Sequence, residues 1–102
     1  MNITQKNDVL RKMIPLVPNP HRFMMTRAVS MMPEKELIDL WTKVKFFNHF
    51  TEDNDPHGEH DFLKVESNGK AFFLKIDYYD NNFQFHQEDG NRVLTLMYDN
   101  EY

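Results

Sequence analysis

The sequence predicts an α+β fold: about four antiparallel strands with two helices packed on one face, in the order α-β-α-β-β-β. Three observations lead there. Asn68-Gly69 sits between two alternating runs, FLKVES and KAFFLKIDYY, and this pair suits a two-residue hairpin turn whose central residues both need positive φ. Leu37, Leu40, Trp41, Val44 and Phe47 recur at helical spacing. A further apolar run, RVLTLMY at 92–98, supplies a last strand. Helices confined to one face of such a sheet are the usual α+β arrangement. The 102 residues suit a single domain, 1–102.

The elements follow in order. Residues 4–14 read as a helix, with Thr4 as N-cap and Val9, Leu10, Met13 and Ile14 as its apolar stripe. Pro15, Pro18 and Pro20 end it and make an extended connector. The segment 22–29 is taken as a strand, and the methionines of MMTRAVSMM as core. Pro33 opens the clearest helix, 33–48, with Glu34 and Glu36 where the helix dipole favours anions. A charged loop covers 51–60. In the hairpin, a two-residue turn makes paired numbers sum to 137. Val65 then faces Phe72, Leu63 faces Leu74 and Asp61 faces Ile76 on the core side. On the other side Lys64 meets Phe73, Phe62 meets Lys75 and His60 meets Asp77. Residues 81–90 form a loop.

Composition narrows the function. There is no cysteine, which removes disulfides, thiolate metal sites and cysteine nucleophiles and fits a reducing compartment. The N-terminus has no apolar signal-peptide core, and no apolar run approaches the ~20 residues of a membrane span, so a cytoplasmic protein is expected. Residues 1–50 carry eight Lys/Arg against four Asp/Glu, and residues 51–102 carry four against twelve. The simplest reading is two oppositely charged halves packed on each other. No basic stripe with interleaved aromatics is present, so direct nucleic-acid binding is not expected.

The stretch TEDNDPHGEHDF, 51–62, concentrates the chemistry. As an EF-hand-like loop it fails, because Lys64 stands where the bidentate glutamate belongs. His57 and His60, with Asp55, Glu59 or Asp61, are ligand types suited to zinc or iron, but Pro56-His57-Gly58 is not a helix that would converge them. Acid/base chemistry would use His60 oriented by Asp77 across the hairpin, with Lys75 as an anion anchor; no nucleophile accompanies them. The architectural reading is the simplest. Asn54 and Asp55 initiate a turn by bonding nearby backbone N–H groups, and Gly58 supplies a special conformation. Asp61, on the core face, then needs a partner such as Arg92 or Arg27.

Several segments together, NDPHGEHDF at 54–62, KIDYYD at 75–80, RVLTLM at 92–97 and the terminal EY, with NDVLRK at 7–12, resemble a bacterial family known as domain of unknown function 3768. Leu63 stands where the family often has glycine, and Phe73-Leu74 where it tends to have Trp or Phe before KIDYYD. The resemblance implies no established chemistry. It implies a small accessory protein of plasmid or phage-like genes, with a role against host defences or in mobile-element maintenance. Motif residues Asn54, Asp55, Glu59, His60, Asp61, Lys75, Asp77 and Asp80 are where a site is expected.

Two functions follow as expectations. The first is an interaction protein with no cofactor, binding a protein partner through acidic and aromatic residues: Asp55, Glu59, Asp61, Tyr78, Tyr79, Asp80, Glu88 and Asp89. The alternative is a metal-dependent or acid/base enzyme centred on His60 and Asp77, with Lys75 in support.

Overall fold

The computed structural model describes residues 1–102. Helix α1 spans Ile3–Arg11, strand β1 Arg22–Met25, helix α2 Arg27–Ser30 and helix α3 Glu34–Lys45. Strands β2 (Phe62–Ser67), β3 (Lys70–Tyr79) and β4 (Asn91–Tyr98) follow, and a 3-10 turn covers Asp99–Glu101. The sheet order is β1-β4-β3-β2. β2, β3 and β4 form an antiparallel meander, but β1 runs parallel to β4, from Arg22↔Val93 to Met25↔Leu96. The sheet is therefore mixed rather than wholly antiparallel.

The hairpin register is the expected one from Phe62↔Lys75 to Ser67↔Lys70. Its turn residues Asn68 and Gly69 both take positive φ, 51° and 77°. The last rung is the Ile76 N–H donating to the Asp61 carbonyl at 2.8 Å. One residue earlier the chain leaves the sheet, because His60 adopts φ 55°. His60 therefore does not face Asp77, which is left without a partner on its β2 side and pairs only with Val93 of β4.

Leu63, Val65, Phe72, Leu74, Ile76, Leu94 and Leu96 point from the inner sheet face into the core. Leu10 and Ile14, Val29 and Met32, and Leu37, Leu40 and Val44 meet them from the helical side. Each fully buried aliphatic or aromatic side chain contributes about 1.5–3 kcal/mol. The segment expected as a strand over 22–29 breaks after four residues. The Thr26 hydroxyl accepts from the Val29 N–H at 3.4 Å and caps α2, a third helix. The methionines here divide: Met32 is buried, Met25 half-buried, and Met24 and Met31 exposed.

α1 is capped by Asn2 rather than Thr4: Asn2 accepts from the Gln5 N–H and Gln5 returns the bond. Its buried face is also rotated from the expected stripe. Val9 and Met13 are exposed, whereas Asn7, Leu10, Arg11 and Ile14 are buried. Two polar residues of α1 thus enter the interior, and the functional geometry grows from them.

Candidate functional site

Residues 51–61 fold as a chain of local hydrogen bonds. The Asn54 amide oxygen accepts from the Thr51 N–H at 2.8 Å, and its amide group donates to the His49 carbonyl at 2.9 Å. Asp55, 8 % exposed, accepts the His60 N–H with both oxygens, at 3.2 and 3.3 Å. Gly58 takes φ 66°, where a residue with a Cβ is disfavoured. This is the architectural turn that Asn-Asp-Pro implies.

α1 then clamps the loop. The Thr4 hydroxyl donates to the Gly58 carbonyl at 2.6 Å, and the Asn7 amide donates to the Glu59 carbonyl at 2.9 Å. His60 Nδ1 lies 2.9 Å from Asp8 Oδ1, its Nε2 is 3.6 Å from Asp55 Oδ2, and its ring stacks on Phe50 at 3.8 Å. The orienting carboxylate of His60 is Asp8, not Asp77. Both ring nitrogens are directed at carboxylates and one ring face is covered, which is the environment of a latch between helix and loop.

The other expected site residues separate into two groups. His57, Asp61, Lys75 and Asp77 line a cleft of about 380 Å³ on the far side of the loop. There Lys75 Nζ bonds Asp77 at 3.1 Å along one strand. Asp61 receives no bond from Arg27, which is exposed, or from Arg92, whose bonds go to Asn7, Gly90 and Asp89. Burial and then the neighbouring Asp55 and Asp77 hold the Asp61 carboxyl above the usual carboxylate range, and burial and Asp61 do the same for Glu59. His57 and His60 do not converge, and no three His, Asp or Glu side chains are grouped so as to hold a metal ion.

A raised carboxyl holds its proton more tightly folded than unfolded, so its contribution favours folding more as pH falls. Asp61→Asn is therefore expected to raise the melting temperature at neutral pH, with the gain shrinking as the solution is acidified through the folded-state pKa and gone below the ordinary aspartate value. Melts across pH check this; a loss of stability at neutral pH would show that the charge is compensated.

The third group surrounds the β3–β4 connection. Tyr78, expected at a binding surface, is buried: its hydroxyl accepts from Asn7 at 2.8 Å, and desolvation pushes its pKa up to about 12. Tyr79 is half-buried and bridges to His86. Asp80 accepts from the N–H groups of Asn82 and Gln84, at 3.1 and 3.0 Å. Asp89 bonds Lys6 at 2.9 Å and Arg92 at 2.7 Å, and both bonds hold its carboxyl below the usual range. Glu88 is exposed and makes no ion pair.

Sequence reasoning missed Asn7, Asp8, Arg11 and Phe50. The signal for the first and third was their register. Asn7 and Arg11 are four apart and share a helical face with Leu10 and Ile14.

Fold and site together define a small α+β protein whose polar loop is latched to its first helix. The chain belongs to the family described as Protein of unknown function (DUF3768), whose model matches residues 25–101. No curated protein and no solved structure matches the chain. His60, Asp55, the hairpin and β4 lie within the matched segment, whereas NDVLRK, with Asn7, Asp8 and Arg11, precedes it. No helix is long and apolar enough to cross a membrane.

Proposed function

We propose that this is an interaction protein that binds a protein partner through the β3–β4 connection, residues 80–90. The observation that carries the reading is Phe85, 70 % exposed where a tightly bonded loop closes back onto the end of β3. Asp80 N–H donates to the Phe85 carbonyl at 2.8 Å, Gln87 N–H to Tyr78 at 3.2 Å and Gly90 N–H to Gln87 at 2.9 Å. The Arg22 guanidinium lies over the Phe83 ring at 3.8 Å. A loop already ordered loses little freedom on binding, so its contacts convert efficiently into affinity.

In the same loop, exposed and unpaired Glu88 supplies a negative charge, and a partner with a basic surface around an apolar pocket complements the two. The family resemblance adds a class of partner: a defence or regulatory complex of a bacterial host, met by an accessory protein of a mobile element. Among the acidic residues, Asp80 and Asp89 are committed to the loop's own bonds, which leaves Phe85 and Glu88 as the contacts to alter.

Phe85→Ala and Glu88→Lys remove exposed side chains, so melting is expected to stay within about 0.5 kcal/mol of the parent. A partner captured on the immobilised protein is expected to lose affinity by about 30-fold with Phe85→Ala, the ~2 kcal/mol of an interface anchor. Equal capture by parent and both variants would remove this surface from consideration.

A further inference from the structure

Beside the C-terminal half of α1, a cleft of about 280 Å³ opens between the helix and the segment that follows α3. Its free hydrogen-bonding groups are mostly donors. Arg11, 2 % exposed, uses one terminal nitrogen on the Phe47 carbonyl at 3.2 Å and the other on Asp8 at 3.0 Å. Its Nε is buried without a partner. Lys12 is exposed and makes no ion pair, and the Asn48 side chain makes no hydrogen bond. Asp8 is already engaged by Arg11 and His60. The open capacity is therefore mainly that of donors, with the Asn48 amide oxygen the one open acceptor beside them, and an unmatched buried donor is costly to leave so.

Charge agrees. Arg11 and Lys12 outnumber Asp8 at this cleft, in a chain whose net charge is −4. Burial lowers the Arg11 pKa more than Asp8 restores it, and the guanidinium lies 5.3 Å from the Phe50 ring centroid. Phe46, 69 % exposed, adds an apolar wall beside the donors.

We propose that this cleft binds a small organic anion, a carboxylate or phosphate carried on a flat apolar body, with Lys12 and Asn48 taking the oxygens, the buried Arg11 charge attracting them from behind, and Phe46 taking the body. The site shares no residue with the loop at 80–90 and stands whether or not that loop binds a partner.

The test is a titration of the ¹⁵N-labelled protein with benzoate, phenyl phosphate, inorganic phosphate and benzyl alcohol. Saturable shifts at Arg11, Lys12 and Asn48 are expected with benzoate or phenyl phosphate, and the stronger of the two identifies the head group. Inorganic phosphate should bind more weakly, and benzyl alcohol should not shift these residues. Lys12→Glu and Phe46→Ala alter exposed side chains, and each should weaken the anion at least about 10-fold, equal to ~1.4 kcal/mol. Three outcomes would overturn the assignment: no saturable shift with either aromatic anion, shifts that both variants leave unchanged, or equal binding of benzyl alcohol.

Discussion

Asn7→Leu is expected to lower the stability of the fold by about 3 kcal/mol, a drop of roughly 15 °C in melting temperature for a chain of this size. Asn7 is fully buried and has three partners. Its amide donates to the Tyr78 hydroxyl and the Glu59 carbonyl, at 2.8 and 2.9 Å, and its oxygen accepts from Arg92 Nε at 3.0 Å. Leucine keeps the branched outline and the number of heavy atoms, though its methyl groups are bulkier, and it removes all three bonds. Arg92, 1 % exposed, would then keep a buried charged donor without an acceptor, which is the costlier kind of loss. Val9→Ala, two positions along the same helix but on its exposed side, is expected to change stability by no more than about 0.5 kcal/mol. Denaturant unfolding of both variants checks the pair. Similar losses would mean that the face of α1 turned to the core is not the one described.

Gly90→Ala is expected to cost about 2–3 kcal/mol, as overpacking does where the neighbours cannot yield. A Cβ there would run into the Tyr79 carbonyl oxygen and lie 2.8 Å from that of Gln87. Both obstacles are backbone, one on β3 and one in the 80–90 loop, so no side-chain rotation relieves the contact. The Gly90 carbonyl also accepts from Arg92 at 2.8 Å. The strain should therefore reach the Asp89–Arg92 pair and loosen the loop that displays Phe85. Unfolding measurements give the cost, and amide exchange at 80–89 gives the loosening. An unperturbed variant would show slack in the loop and weaken the argument that Phe85 is presented ready to bind.

The parts of the fold legible in sequence were those specified locally. Asn68-Gly69 determined the hairpin register because two residues with positive φ permit only one pairing of their flanks. Leu37, Leu40 and Val44 marked the buried stripe of α3. β1 was harder to read. It is four residues long, and its partners at 93–96 are some 70 positions away, so no local pattern announces a parallel pairing. Thr26 was a readable cap that β-rich neighbours concealed. The site was half legible. Asn54, Asp55 and Gly58 build the turn their chemistry implies, but the helix that receives it enters the interior through Asn7 and Arg11, residues that hydrophobic periodicity counts as surface. Tyr78 was visible by alternation, since it shares a sheet face with Phe72, Leu74 and Ile76; treating it as part of an exposed aromatic cluster set that alternation aside. The expected His60–Asp77 pair required the strand to continue two residues further than its backbone does.

The shortness of β1 also determines how the outer edge of β4 is kept from other chains. Beyond the four paired residues, the edge is clasped at one end by His21, whose Nδ1 accepts the Arg92 N–H at 2.9 Å, and at the other by the Thr26 N–H on the Leu96 carbonyl at 3.1 Å. An imidazole nitrogen accepts only while it is unprotonated. Burial, then Arg92 and Lys6, hold the His21 pKa below the ordinary value and keep it so. Protonation would remove one clasp, and the stabilisation would fade as pH drops below the ordinary histidine range. The Arg22–Met25 pairing to Val93–Leu96 would still cover the strand, so the loss is confined to the point where β1 enters the sheet beside Arg92. Mild acid is therefore the condition that frees the start of β1 first, while the rest of its pairing holds the edge of β4 covered.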